Sequence, residues 1–117
     1  MAKRGSKVER PIARGEWTPK FDNNAAAKAW RDLVNQREKS ALARFWNIVV
    51  ADPRAGPNPA RHHRLKGELA TVTSGGRRLE QCQHEISGGG RIWFLIDDAS
   101  KTVWVNIVSP GHPSKTD

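Results

Sequence analysis

The chain contains one cysteine, one methionine and no apolar run approaching the ~18 residues that span a bilayer. Cys82 by itself forms no internal disulfide, which points to a reducing compartment. Lys3, Arg4 and Lys7 are not followed by an apolar segment, so no secretory signal is expected. These absences predict a cytoplasmic protein without a membrane partner. Metal-site signals are missing too: Cys82 has no C-x-x-C partner, and the side chains of His62 and His63 diverge as chain neighbours. Gly88-Gly89-Gly90 leads into a strand pattern rather than a helix, which argues against a phosphate-cradling loop. No Ser, His and Asp arrangement suggests acyl transfer, and no cofactor or metal is expected. Internal repeats, heptads and low-complexity tracts are also lacking.

Acidic residues are scarce. Against 20 Lys+Arg stand 12 Asp+Glu, a formal net charge of +8. A small, strongly basic domain concentrates polyanions around itself, so a nucleic acid is the expected partner. The 117 residues suit one domain with one core. Residues 1–15 carry Lys3, Arg4, Lys7, Arg10 and Arg14 with little to bury, and read as a flexible basic arm before a domain over 16–117.

Within that domain, Glu16–Phe21 predicts a short strand, confined to an edge because Pro19 donates no ladder bond. Asp22-Asn23-Asn24 supplies N-cap side chains for a helix with Ala26, Trp30, Leu33 and Val34 on one stripe. Ser40 is placed to cap a second helix presenting Leu42, Phe45, Trp46 and Val49, ended by Asp52-Pro53. Trp30 and Trp46 are expected as core residues. A Pro- and Gly-rich connector and a basic segment, Arg61–Leu69, follow; Thr71–Gly76 reads as a turn. Three strands then form a meander over residues 77–109, with Asp98-Ala99-Ser100 as the last hairpin turn.

Alternation in that meander puts Cys82, Ile86, Ile92, Phe94 and Ile96 on a face the helices can cover. Gln83, Glu85, Arg91, Trp93 and Leu95 fall on the other, open face. RNA can be cut without metal because its 2′-hydroxyl attacks the adjacent phosphate. The reaction needs a base, an acid and cations for the charge on phosphorus. His112, just beyond the last strand, has the residue type for acid or base. Arg91 and Lys66 are candidates for stabilising the phosphorane, and Glu85 for partnering the base. Residue chemistry alone stops at a basic α+β domain that binds nucleic acid.

Three segments then carry a resemblance: Arg64-Leu65-Lys66-Gly67, the run Leu79–Asp98 with its Gly88-Gly89-Gly90-Arg91-Ile92-Trp93, and Ser109-Pro110-Gly111-His112-Pro113. In order and spacing they resemble the RelE/ParE superfamily of type II toxin–antitoxin toxins, and within it RelE-like toxins of actinobacteria. The resemblance covers roughly residues 16–115. It implies an α+β fold of β-α-α-β-β-β order, two N-terminal helices packed on one face of a mainly antiparallel sheet. It implies a metal-independent, ribosome-dependent mRNA endoribonuclease, neutralised by a cognate antitoxin, with mRNA and ribosome as its other partners. Lys66, Arg91, His112 and Glu85 are its candidate catalytic residues. Arg64, Gln83, Trp93, Arg77, Arg78 and Lys115 are the candidate RNA contacts. The superfamily also includes non-enzymatic gyrase inhibitors, and an inactive relative that only binds RNA or antitoxin is a further alternative. The chain departs from the pattern in having no tyrosine, and in carrying Gln83 and Glu85 where some members have lysines.

Overall fold

A computed structural model describes residues 4–36, 39–86 and 89–111. Strand β1 (Thr18–Phe21) leads into helices α1 (Asn24–Asn35) and α2 (Lys39–Ala51). Strand β2 (His62–Arg64), a 3-10 turn (Gly67–Ala70) and strand β3 (Thr71–Ser74) come next. The long strands β4 (Arg77–Glu85), β5 (Arg91–Asp97) and β6 (Thr102–Ser109) follow. All six strands belong to one sheet of order β1-β6-β5-β4-β2, with β3 also on β4. Every pairing is antiparallel except that of β1 with β6. The result is α+β: two helices and a mainly antiparallel six-stranded sheet.

Local chemistry explains the boundaries. The Asn23 side chain accepts from the Ala26 amide at 2.8 Å, closing the first turn of α1. Ala51 is the last residue of α2, immediately before Asp52-Pro53. Ser40, expected as the α2 cap, instead lies inside its first turn, because the helix already includes Lys39. Pro19 sits in β1, an edge strand, where its missing N–H costs no ladder bond.

The segment expected to turn over Thr71–Gly76 is mostly strand. Thr71–Ser74 pairs with Arg77–Glu80, and only Gly75-Gly76 turns, both at positive φ (59° and 79°). A two-residue turn with both φ positive suits glycine and matches the twist of a hairpin. The basic segment before it likewise contributes β2, so two short strands share one edge of β4.

The core lies between the helices and one face of the sheet. Phe45 and Val49 of α2, with Leu33 and Ala26 of α1, meet Cys82, Ile92, Phe94, Ile96, Val103 and Val105. Phe45 is fully buried, its ring 5.4 Å from that of Phe94 and 6.0 Å from that of Trp30. Trp30 packs against the core from its margin, and Trp46 is half-buried beneath the Arg10 guanidinium, 5.0 Å from its ring.

Candidate nucleic-acid interface

The face turned away from the helices is only partly open. Gln81 and Leu95, cross-strand partners on β4 and β5, are buried there. The Gln81 amide donates to the Leu69 carbonyl at 2.8 Å, drawing the 3-10 turn over β4, and its oxygen accepts from Asn106 at 3.0 Å. Leu95, expected on the uncovered side, is sealed at 0% exposure. Leu95 lies between its cross-strand partners Gln81 and Trp104, and the turn held by Gln81 is not placed by periodicity.

What stays open is the end of the sheet where β5 begins. Gly89, Arg91, Trp93, Ile107, Ser109 and Pro110 line a groove of about 360 Å³. Its floor follows from register: Arg91 opposes Glu85 and Ser109, and Trp93 opposes Gln83 and Ile107. The Trp93 indole N–H donates to the Gln83 side-chain oxygen at 2.8 Å, which fixes the ring. Ile107 is 40% exposed beside it. Arg91 makes no ion pair among the described residues, not even with its cross-strand neighbour Glu85, so its charge is available to a ligand. Glu85 instead contributes to the wall of a different pocket, described below.

The remaining candidates scatter. Arg77 sits at the opposite end of β4, ion-paired to the buried Asp97. Arg91 and Asp97 terminate the two ends of β5, about 20 Å apart at ~3.4 Å per residue. One phosphodiester cannot touch Arg77 and Arg91 together. Asp97 is held below the usual carboxylate range: burial opposes this, but donors from Ser100 and Trp104 and the Arg77 charge prevail. Arg78 is exposed opposite Thr73 on the β3–β4 hairpin. Arg64 ties down the segment after it, donating to the Ala70 carbonyl at 3.2 Å and to the Thr71 hydroxyl at 3.1 Å. Lys66 is exposed just ahead of the 3-10 turn. His112 and Lys115 lie outside the described residues.

A second polar constellation escaped the sequence reading. His62 and His84 are cross-strand partners on β2 and β4, their Nδ1 atoms 3.0 Å apart. Nε2 of His62 lies 2.7 Å from the Pro53 carbonyl, which only accepts, so that nitrogen carries the proton. Nδ1 of neutral His62 then accepts, and Nδ1–H of His84 donates. Burial, opposed by the Pro53 bond, lowers the His62 pKa. Burial first, then His62, Arg44 and Arg61, pulls that of His84 down to about 4. His63 turns away from both, toward the Arg64 carbonyl at 3.1 Å. Adjacent histidines diverge on a strand, while residues far apart in sequence meet across it. Among the described residues no three His, Cys, Asp or Glu side chains converge as metal ligands. Cys82 is buried, its thiol pushed up to about 12 chiefly by that burial, and is no nucleophile.

No protein-family model matches the sequence, and neither the curated proteins nor the solved structures contain a match to it.

Proposed function

We propose that the groove around Arg91 and Trp93 binds single-stranded RNA, and that the protein is a RelE-like toxin cutting mRNA on the ribosome. One observation carries the first half: a guanidinium without an ion pair beside an indole fixed in place, on the uncovered end of a sheet in a chain of net charge +8. A base stacks on an aromatic face while its phosphate meets the cation, the pairing that single-strand binders use. The second half rests on the resemblance in the segments around Lys66, Arg91 and His112. The first strand, two helices and final three-strand meander support it, although β2 and β3, between α2 and the meander, go beyond the implied β-α-α-β-β-β order. In this reading His112 supplies acid or base and Arg91 stabilises the phosphorane. Arg77 and Arg64, engaged elsewhere, serve the fold.

A second reading has its own support. Arg91 is the one ionisable side chain among the described residues lining the groove, so in the nuclease reading the acid–base role is assigned to His112. If His112 does not reach the groove, the protein binds RNA or an antitoxin without cutting.

Expression of the wild type, with primer extension on cellular mRNA, separates these. Cleavage that disappears in Arg91→Ala and in His112→Ala, both folded by circular dichroism, supports the nuclease. Intact mRNA with RNA binding retained supports the binder. Intact mRNA with DNA breaks would overturn both and favour a gyrase inhibitor.

A further inference from the structure

We propose that the pocket between α2 and the β2–β4 ladder is a second ligand site, one that takes a ribose phosphate: Arg44 and Arg61 on the phosphate, Nε2 of His84 on a ribose hydroxyl. The proposal is independent of the groove on the other face. The pocket holds about 180 Å³, and Arg44, Asn58, Arg61, His62, His84 and Glu85 are its polar lining. That volume is below the ~300–1,000 Å³ of sites that enclose a whole small molecule, so it admits one sugar-phosphate unit of a ligand that continues outside.

Three features specify the chemistry. First, Arg44 and Arg61 make no ion pair among the described residues, with Glu85 or any other carboxylate. Two guanidiniums against one carboxylate leave the pocket net positive. Second, Asn58 Oδ1 already accepts from the Ala60 amide at 3.0 Å, so its NH₂ is left to donate. Third, Nδ1 of His84 is committed to His62, so the lone pair is on Nε2, which has no hydrogen-bond partner among the described residues. No buried side-chain polar atom of the described residues lacks a partner, so this nitrogen is open to the pocket. A lone pair accepts; it favours a hydroxyl over another anionic oxygen. Ala41, Ile48 and Ile86 supply apolar wall for sugar carbons. The depressed basicity of His84 keeps that lone pair available at neutral pH.

The test uses the purified full chain and three probes: inorganic phosphate, uridine 3′-monophosphate and its 2′-deoxy counterpart. Binding is followed by NMR of the His84 ring nitrogens. All three probes are expected to perturb His84, with the ribonucleotide about tenfold tighter than the deoxy form, the scale of one good hydrogen bond. Arg44→Ala and Arg61→Ala should each weaken phosphate binding about tenfold or more, while Arg91→Ala still shows the His84 perturbation. His84→Phe, its binding read by titration calorimetry, should erase the ribose preference and keep phosphate binding; His84→Leu serves if the Phe variant does not fold. A short single-stranded RNA binding more tightly than the nucleotide identifies an RNA backbone as the source, and equal affinity identifies a free nucleotide. Both outcomes uphold the pocket. An unperturbed His84 at millimolar probe, or unchanged affinity in both arginine variants, overturns it.

Discussion

The indole N–H of Trp93 donates to the side-chain oxygen of Gln83, 2.8 Å away across two antiparallel strands. This bond sets the plane on which a base would stack. Trp93→Ala should cost about 1–3 kcal/mol of affinity for single-stranded RNA, the usual worth of one stacked base. Gln83→Leu keeps the ring but frees it, and should cost less. Fluorescence anisotropy with a labelled oligonucleotide measures both; unchanged binding in Trp93→Ala would remove the groove from RNA recognition.

Arg91 and Arg77 should separate cleanly. Arg91→Ala is expected to weaken RNA binding and reduce the slope of log affinity against log salt by about one, with stability unchanged. Arg77→Ala leaves the buried Asp97 without its cation and should lower unfolding free energy by about 1–2 kcal/mol, the cost of removing one partner of a buried polar group. Urea melts beside salt titrations check the contrast.

Phe45 is the keystone of the core, its ring packed edge-on to Trp30 and Phe94 and tilted against His84 at 5.3 Å. Phe45→Ala should cost about 3–5 kcal/mol, because a fully buried ring leaves a cavity that its neighbours only partly fill. Chemical denaturation gives the value.

Gly56 lets the histidine pair form. A Cβ there would lie 2.3 Å from Cγ of His62, so Gly56→Ala must displace that ring or the loop. The variant should lose about 1–3 kcal/mol, the typical range for overpacking, and its His62 and His84 resonances should no longer shift together.

Both histidines are neutral in the fold, with pKa values below the ordinary ~6.5. The unfolded chain binds more protons in that range, so their contribution is full above about 6.5 and is lost as pH falls toward about 4. Arg44, Arg61 and His63 add to the penalty for protonation, while Asp52 opposes it at His62. Thermal melts should drop over this window, and a His84→Phe variant should drop less. Equal slopes would mean other groups control the acid limb.

Much of this protein was legible along the chain. The alanine-rich helix after Asn23, the stop at Asp52-Pro53, the edge placement of Pro19 and the split of Ile92, Phe94 and Ile96 from Arg91 and Trp93 follow from periods of 3.6 and 2 and from backbone rules acting on neighbours. Strand Thr71–Ser74 was obscured because its residues suit turns as well as strands, and pairing with β4 decides between them.

Register and cover were settled only in three dimensions. Leu95 alternates as an outward residue, yet it is buried, and its cross-strand partner Gln81 holds a 3-10 turn from elsewhere in the chain. Arg91, expected as a catalytic residue, and Arg77, expected as an RNA contact, stand at opposite strand ends, the second already joined to Asp97. His62 and His84, separated by 22 positions, become neighbours because β2 pairs with β4 in one register and not the next. Local sequence specifies which way a side chain points; which distant group it meets depends on contacts between segments, and no local pattern encodes those.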